Sequence, residues 1–236
     1  MSKKLAIIPA RGGSKRIPRK NIKNFQGKPI ISYSIEAALR AGIFDEVMVS
    51  TDDSEIAEVA RMYGASVPFI RSEKNADDFA ATDAVVIEVL ADYQEKLSTR
   101  FETGCCIYPT VPLINPKTLI ESGEVFHNNK FDTLYPIVKF GFPILRAVQV
   151  KDNKIVLAWP EYEQVRSQDI PPYYHDAGQY YWFRSDYLLE YKTSSSKNTG
   201  YIELSELEIQ DIDNEADWVL AELKFEYLRR NAKIAP

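Results

Sequence analysis

Residues 5–21 read LAIIPARGGSKRIPRKN, and this stretch predicts both the fold and the position of a binding site. Its first four residues, Leu5–Ile8, are apolar and are typical of a buried strand in a parallel sheet. Pro9 and the pair Gly12-Gly13 then end the strand and open a loop. Because ligands of open α/β sheets bind beyond the carboxyl ends of the strands, we expect this loop to line a ligand site.

The loop is strongly basic, and its cations are Arg11, Lys15, Arg16, Arg19 and Lys20. Glycine lets backbone N–H groups approach phosphate oxygens, and Arg and Lys supply positive charge, so the loop favours polyphosphate binding. A solvated basic loop or a contact with nucleic acid is the alternative. The stretch contains neither the G-x-x-x-x-G-K-[ST] phosphate loop nor the G-x-G-x-x-G dinucleotide fingerprint.

Strand and helix patterns alternate after the loop, which predicts an α/β fold with a mostly parallel sheet and right-handed crossovers. We find no linker and treat residues 1–236 as a single domain. The predicted strands are Glu46–Ser50, Val67–Ile70, Gly104–Tyr108, Thr133–Val138, Gly178–Arg184 and Ile202–Ile212. The predicted helices are Pro29–Arg40, Ser54 to about Gly64, Asp83–Leu97 after a cap at Thr82, Pro116–Phe126, Ser185–Tyr191 and Glu215–Arg230.

An insert at about residues 140–176 departs from this alternation. Two apolar-alternating runs, 148–150 and 155–159, flank the turn residues Asp152-Asn153 and predict a β-hairpin with one apolar face. Because an isolated hairpin is marginally stable in water, this face needs a partner. The residues alone leave open whether the partner is the same domain or a second subunit.

Composition limits the possible functions. The net charge of −5 argues against bulk binding of nucleic acid. No stretch approaches the ~20 apolar residues of a membrane span, so we expect no membrane association. Cys105 and Cys106 are adjacent, and neighbouring strand residues face opposite sides of a sheet, so we expect buried free thiols and a reducing cytoplasm.

Asp211 and Asp213 are the candidate metal ligands. At the end of a predicted strand, residues i and i+2 face the same side, so the two carboxylates converge while Ile212 turns to the core. Mg²⁺ commonly binds one or two carboxylates together with substrate phosphates. The alternative is that these acids only satisfy free N–H groups at the start of the last helix.

The motif Ala10-Arg11-x-x-Ser14-Lys15-x-Ile17-Pro18-x-Lys20-Asn21 resembles the nucleotide loop of the sugar-acid cytidylyltransferases, the CMP-sialic acid synthetase family. The resemblance implies a three-layer Rossmann-like nucleotidyltransferase fold, a homodimer formed through the hairpin insert, and transfer of CMP from CTP to a 2-keto sugar acid. In this family D-I-D before the last helix is the metal motif, which implies Mg²⁺ at Asp211 and Asp213.

The same resemblance implies roles for individual residues. The catalytic set is Arg11, Lys20, Asp211 and Asp213. The nucleotide-binding set is Ala10, Arg11, Gly12, Ser14, Lys15, Lys20, Asn21, Arg71 and Thr82. Within this set Arg11, Lys15 and Lys20 bind the triphosphate, Ser14 supports the loop, Asn21 holds the ribose, and Arg71 lies near the cytosine.

The acceptor side departs from the sialic acid pattern, because residues 108–114 read YPTVPLI where those enzymes usually carry QPTSPLR. Residues 169–183, DIPPYYHDAGQYYWF, resemble the pseudaminic acid branch of the family. Aromatic side chains suit acyl and methyl groups on a sugar. We therefore expect pseudaminic acid as the acceptor, contacted by Asp176, Gln179 and Tyr181. We expect His127 to be an ordinary exposed histidine, whereas for His175 an ordinary exposed position and a place near the acceptor stay equally open.

Three alternatives stay open. The acceptor is N-acetylneuraminic or legionaminic acid, or the enzyme is another nucleotidyltransferase that uses UTP and a sugar 1-phosphate. The second case usually shows a longer glycine-rich loop, which is absent from this sequence. The third alternative is an RNA-binding module that uses the basic loop, but it gives Asp211 and Asp213 no purpose and the loop offers no aromatic platform for bases.

Overall fold

Strands and helices alternate around a central sheet in the computed structural model, which describes residues 3–14, 16–75 and 81–231. The strands in these ranges are Lys4–Pro9 (β1), Asn24–Phe25 (β2), Lys28–Pro29 (β3), Glu46–Ser50 (β4), Thr103–Ile107 (β5), Thr133–Lys139 (β6), Val148–Lys151 (β7), Lys154–Leu157 (β8), Tyr174–Asp176 (β9), Tyr180–Arg184 (β10) and Thr199–Leu204 (β11). The α-helices are Ile31–Ala41 (α1), Ser54–Met62 (α2), Thr82–Leu97 (α3), Pro116–Asn128 (α4), Ser185–Tyr191 (α5) and Glu215–Arg230 (α6).

The main sheet has the strand order β11-β6-β10-β5-β1-β4. Strands β1, β4, β5, β6 and β11 run in one direction, and β10 runs against both of its neighbours. The short strand β9 is also antiparallel and pairs with the end of β6, beyond the part that β10 covers. The prediction of a mostly parallel sheet is confirmed.

Helices cover both faces of the sheet, and successive residues of β1 therefore lie in two different apolar cores. Ala6 and Ile8 pack with α1, α2 and α4, whereas Leu5 and Ile7 pack with α3 and α5. This alternation follows from the period of two in a strand, and it gives the three-layer architecture that the family resemblance implied.

A third core cluster ties the basic loop to the carboxyl-terminal part of the chain. Ile17 from the loop and Ile212 from the segment before α6 are both fully buried in it, together with Phe25 and with Trp218 and Phe225 of α6. Two apolar side chains that are almost two hundred positions apart thus bring their charged neighbours together. This cluster positions the site described below.

Two strand predictions were wrong. Residues 67–70 form no strand, and only an isolated bridge between Ser66 and Met48 marks the place. The strand predicted at 202–212 ends at Leu204, because the side chains of Ser205 and Glu208 form a capping box that starts a 3₁₀ turn. Asp211 and Asp213 therefore lie on an irregular segment rather than at a strand end.

The insert contains the predicted hairpin. Strands β7 and β8 pair with each other around Asp152 and Asn153, whose positive φ angles of 49° and 59° suit a tight turn between twisted strands. Both strands are exposed, and Val150 and Ile155 are each 75% accessible. In the described residues the hairpin thus has no apolar cover from its own chain.

Cys105 and Cys106 are free and buried in β5, as the sequence predicted. Across the described ranges, none of the helices has both the length and the apolar content needed to cross a bilayer.

Candidate active site

A cavity of about 640 Å³ opens at the carboxyl edge of the sheet, between the basic loop and the segment before α6. It brings together cationic, amide, hydroxyl and carboxylate side chains from distant parts of the sequence. The lining residues are Pro9, Arg11, Gly13, Ser14, Arg16, Lys20, Asn21, Arg71, Asn75, Thr82, Val85, Tyr108, Pro109, Thr110, Asp211 and Asp213.

The start of the loop is held against the turn that begins α2. The N–H of Gly12 donates to Asp52 Oδ1 at 2.9 Å, and a Cβ at position 12 would lie only 2.7 Å from Asp53 Oδ2. Glycine is therefore required here for close approach. Arg19 also donates to the Asp53 and Glu55 carboxylates, so this cation secures the loop to α2 rather than facing the cavity.

The end of the loop carries Lys20 and Asn21 into the cavity wall. Lys20 Nζ donates to the carbonyl of Ile212 at 2.7 Å, and Asn21 Nδ2 donates to the carbonyl of Arg11 at 2.9 Å. Burial lowers the pKa of Lys20, although the nearby carboxylates of Asp213 and Asp211 oppose this change. Lys20 therefore links the basic loop directly to the D-I-D segment.

Asp211 and Asp213 stand on either side of Ile212, whose carbonyl accepts this hydrogen bond. Neighbouring atoms desolvate the carboxyl group of Asp211, and together with the charge of Asp213 they raise its pKa, which Lys20 partly offsets. Asp213 Oδ1 forms an exposed ion pair with Arg16 at 2.7 Å. Two carboxylates in such proximity are costly when both are ionised, and a further cation would relieve that cost.

This donor set fits Mg²⁺ in one particular way. In the described residues no group of three or more His, Cys, Asp or Glu side chains could form a complete metal site. Two carboxylates next to phosphate-binding cations do match Mg²⁺, which keeps waters and takes the remaining oxygens from substrate phosphates. The fit therefore depends on a phosphorylated substrate that shares the ion.

Arg71 and Thr82 form the far wall of the cavity. The Arg71 guanidinium donates to Ser50, through Nε to the hydroxyl at 3.1 Å and through a second nitrogen to the carbonyl. Burial lowers its pKa, and the carboxylate of Asp52 opposes this. The prediction that Thr82 caps α3 was wrong: Thr82 is the first residue of the helix, and the N-cap is Ala81, one position earlier.

The predicted acceptor residues lie beside this cavity. The hydroxyl of Tyr181 donates to Asp176 Oδ2 at 2.8 Å, and both residues line two smaller cavities of about 200 and 370 Å³. Thr82 and Tyr108 line both the main cavity and the smaller of these two. The structure therefore places the nucleotide-side and acceptor-side predictions next to each other.

Three of the predicted site residues occupy other positions. Ala10 is fully buried in the sheet core, and the amide of Gly12 is used by Asp52. Gln179 is 2% exposed, and its side-chain amide donates to the carbonyl of Glu208 at 2.6 Å. Ala10 and Gln179 are thus buried and the N–H of Gly12 is paired within the chain, and the ligand contacts assigned to these three residues stay predictions. Lys15 lies outside the described residues.

Sequence reasoning did not assign roles to several residues that shape the site. Arg16 was counted among the loop cations, but its ion pair with Asp213 depends on a contact that no local pattern reveals. Asp83 Oδ2 accepts hydrogen bonds from the backbone N–H and the hydroxyl of Ser194. These bonds fix the segment around Ser194, which lines the cavity of about 370 Å³, to the start of α3. The only sequence signal for this contact is that Asp83 is a carboxylate in the first turn of a predicted helix.

Comparison with known proteins gives three findings. Residues 5–234 match the family model described as cytidylyltransferase. The sequence is 42% identical to a pseudaminic acid cytidylyltransferase of Campylobacter jejuni, over 98% of this chain and 99% of the relative. It is 34% identical to a CMP-N,N'-diacetyllegionaminic acid synthase of Legionella pneumophila, over 92% of this chain and 94% of the relative.

Among solved structures, a CMP:2-keto-3-deoxy-manno-octonic acid synthetase complexed with CTP superposes with a TM-score of 0.71. The match covers 97% of this chain and all of that chain, at 19% sequence identity. The likeness concerns the fold and includes both segments that meet at the main cavity.

Proposed function

Because this chain belongs to the cytidylyltransferase family, we propose that it transfers CMP from CTP to pseudaminic acid and releases pyrophosphate. The observation that carries this proposal is the shared cavity of Arg11, Lys20, Asp211 and Asp213. Cations and carboxylates around one space are what a triphosphate with a divalent ion requires. An RNA-binding role would leave the carboxylate pair unused.

The choice of acceptor rests on the relatives. Identity is 42% to the relative named for pseudaminic acid and 34% to the one named for diacetyllegionaminic acid, each over nearly the full length. Tyr181 and Asp176, which border the nucleotide cavity, lie in the stretch that resembles the pseudaminic acid branch. N-acetylneuraminic and legionaminic acids are the competing acceptors.

Catalysis in such a site consists mainly of positioning and charge stabilisation. Arg11 and Lys20 bind the phosphates, and Asn21 holds the loop closed through the carbonyl of Arg11. Arg71 is kept rigid by Ser50 and borders the place of the base. The charge that develops on the leaving pyrophosphate is stabilised by the same cations that bind the triphosphate.

Asp211 and Asp213 are the residues that would hold Mg²⁺. The ion, when bound, neutralises phosphate charge and favours deprotonation of the sugar hydroxyl that attacks the α-phosphorus. The exposed ion pair between Arg16 and Asp213 would yield to the ion, because exposed pairs contribute little stability. Asp176 accepts a hydrogen bond from the hydroxyl of Tyr181 and so fixes the ring at the acceptor side.

The decisive experiment compares sugar acids. CTP and Mg²⁺ are mixed with the protein and with pseudaminic, legionaminic or N-acetylneuraminic acid, and pyrophosphate release is measured. We expect kcat/KM with pseudaminic acid to exceed the other two by at least about tenfold, since each lost polar contact costs that order of discrimination. A higher value with another acid would contradict the acceptor, and no release with any acid would contradict the reaction.

A homodimer through the hairpin completes the proposal. Val148, Val150 and Ile155 present apolar area to solvent on β7 and β8. A second copy of the hairpin is a self-complementary partner for such a face, as a two-fold interface requires. Light scattering should give twice the 27.0 kDa chain mass, and Ile155→Asp should shift it towards the monomer. A monomer at all concentrations would contradict this part.

Cys105 and Cys106 support a cytoplasmic location for the enzyme. Both thiols are free, and burial raises the pKa of each well above its ordinary range. A protein that keeps adjacent thiols unpaired suits a reducing compartment.

A further inference from the structure

The cavity of about 370 Å³ is the acceptor-side space that lies farther from the nucleotide cavity. It shares Asp176, Tyr181 and Ser194 with the cavity of about 200 Å³. That smaller cavity in turn shares Thr82 and Tyr108 with the nucleotide cavity. The three spaces therefore adjoin in one row, and the 370 Å³ cavity, which we call the distal cavity, is at the end away from the basic loop.

Tyrosine rings form a row across the sheet from the nucleotide cavity to the distal cavity. The ring centroids of Tyr108 and Tyr181 are 5.2 Å apart, and those of Tyr181 and Tyr135 are 5.8 Å apart. These residues belong to the end of β5, to β10 and to β6, which are successive strands of the sheet. Because neighbouring strands are about 4.8 Å apart, Tyr135 lies about 10 Å from Tyr108. A pyranose ring with a three-carbon side chain spans a distance of this order.

The ring of Tyr135 is left open to a ligand because the helices on its side cover other strands. Leu134 and Tyr135 point to opposite faces of β6. Leu134 is fully buried on the side of α1 and α4, whereas Tyr135 is partly exposed and lies outside the apolar clusters of the described residues. The core beneath α3 and α5 includes Phe183 of β10 but, in the described part of the chain, no residue of β6.

A serine-rich segment after α5 forms the wall opposite β6, and hydrogen bonds hold it in place. The N–H and the hydroxyl of Ser194 donate to Asp83 Oδ2 at 2.9 and 3.2 Å. The hydroxyl of Ser196 donates to Asp132 Oδ2 at 2.9 Å. Both serines line the distal cavity, so its wall is fixed to α3 and to the start of β6 before any ligand arrives.

The floor of the distal cavity is equally rigid because it is the sheet itself. Strand β6 pairs with β10 on one side and with β11 on the other, and Trp182 of β10 is fully buried, with its Nε1 donating to Ser122 at 2.9 Å. His127 is half-buried beside the Trp182 ring and burial lowers its pKa, so the expectation that it is an exposed histidine was wrong. A preformed cavity binds without a cost of reorganisation, so each contact with a ligand adds to affinity.

The side chains at the entrance to the distal cavity limit the chemistry of its ligand. The carboxylate of Asp176 accepts hydrogen bonds from the N–H of Gly178 at 2.7 Å and from the hydroxyl of Tyr181 at 2.8 Å. A carboxylate has about four acceptor positions, so exposed Asp176 can accept a further bond from a ligand N–H. The rings of Tyr181 and Tyr135 offer apolar faces to a methyl group. An acylamino group has both the N–H and the methyl, whereas a hydroxyl group has neither.

From these observations we propose that the distal cavity binds an acylamino group on the side chain of the sugar acid, and that the ring of Tyr135 selects for this group. The inference rests on the proposed function, because it assigns the far end of the same acceptor. Pseudaminic and legionaminic acids carry an acylamino group on the side chain, whereas the side chain of N-acetylneuraminic acid carries only hydroxyl groups. Tyr135 therefore separates the first two acids from the third.

Tyr135→Ala tests the selection when sugar binding is measured apart from turnover. The full-length protein is mixed with CMP, so that no group transfer takes place, and the Kd of each sugar acid is determined by saturation-transfer difference NMR. We expect Tyr135→Ala to weaken pseudaminic acid about tenfold, the lower end of what a lost apolar pocket contact is worth. N-acetylneuraminic acid should weaken by less than about twofold. Tyr135→Phe keeps the ring and should stay within about twofold of the unmodified protein for both acids.

Tyr201→Ala is the matched control. Tyr201 pairs with Tyr135 between β11 and β6 and is 61% exposed, but it does not line the distal cavity among the described residues. Its affinity for both acids should equal that of the unmodified protein, and thermal unfolding checks that every variant is folded. In the unmodified protein, saturation of aromatic protons should reach the side-chain acyl methyl of pseudaminic acid more strongly than the protons of the sugar ring.

Four outcomes overturn the inference. Tyr135→Ala binds pseudaminic acid as tightly as Tyr201→Ala does, or it loses both acids equally, or Tyr135→Phe loses as much as Tyr135→Ala, or the sugar-ring protons receive the stronger saturation. Pyrophosphate release from CTP and pseudaminic acid tests the reaction separately in the same proteins. Release by the unmodified protein together with any of these outcomes refutes the role of Tyr135 alone, whereas a lack of release refutes the proposed function.

Discussion

Two cavities at opposite edges of the same sheet satisfy their polar groups in different ways. In the nucleotide cavity the charged groups pair within the chain, as Lys20 does with the carbonyl of Ile212 and Arg16 with Asp213. A second cavity, of about 980 Å³, lies at the other edge, and beside it the hydroxyl oxygens of Thr103 and Ser185 are buried and unpaired in the described residues.

This difference indicates different ligands. Opposite charges across a wet cleft suit a charged substrate and a metal ion, because both can replace the internal ion pairs at little cost. The second cavity has apolar walls and as many cationic as acidic residues at its rim, so an ion there would lose hydration without compensation.

Asp211→Asn should have the largest effect and acts only on the first cavity. We expect kcat to fall by about 100-fold or more, since metal and transition-state charge stabilisation are each worth several kcal/mol. Pyrophosphate release over a range of Mg²⁺ concentrations measures the loss, and circular dichroism checks that the fold is kept. Unchanged activity would remove the metal assignment.

Lys20→Ala should have the next largest effect. The loss of a charge-assisted phosphate contact should lower kcat/KM for CTP by about 10- to 100-fold while the KM for the sugar acid changes little. Initial rates with each substrate varied in turn separate the two. An equal loss of kcat/KM for both substrates would argue against a phosphate role of Lys20. Lys192→Ala, at the C-cap of α5, removes the same charge elsewhere and serves as the control.

The free energy of unfolding should depend on pH through the carboxylate of Asp211 in the nucleotide cavity. Because the folded protein raises the pKa of Asp211 above its ordinary 3.8, ionising this group opposes folding, and the cost appears as the pH rises through 3.8 towards the raised value. Asp211→Asn should therefore be more stable than the unmodified protein at pH 7, by less than about 1 kcal/mol since solvent screens the site. The gain should vanish below pH 3.8, as measured by urea unfolding.

Ser185→Ala should have the smallest effect. It removes an unpaired hydroxyl, so the free energy of unfolding should stay unchanged or rise by up to about 1 kcal/mol, and CTP turnover should be unaffected. A loss of more than about 1 kcal/mol would show that the hydroxyl has a partner within the folded protein. Thermal unfolding measures the change in stability, and pyrophosphate release measures the CTP turnover.

The local part of the fold could be predicted because local physics specifies it. The apolar run Leu5–Ile8, the turn at Asp152-Asn153 and the helix Glu215–Arg230 each carry their own signal, and all three form as expected. The strand predicted to run to Ile212 failed because the apolar alternation continues past Ser205, where side-chain capping turns the chain instead.

The site could be predicted in its chemistry but not in its contacts. Arg11, Lys20, Asp211 and Asp213 line one cavity, whereas Ala10 and Gln179 are buried and the N–H of Gly12 is bonded to Asp52. A sequence motif includes residues that bind and residues that shape the backbone, and only burial and hydrogen-bond partners distinguish the two.

The sequence by itself determined the α/β order of elements, the basic loop after the first strand and the acidic pair before the last helix, because propensity, turns and charge are properties of neighbouring residues. Only the tertiary structure decided that the loop and the acidic pair meet, through burial of Ile17 and Ile212 in one apolar cluster. It also decided which residues of the predicted site are buried, as Ala10 and Gln179 are. Contacts between distant segments depend on how the whole chain buries its apolar surface, and no local pattern encodes that.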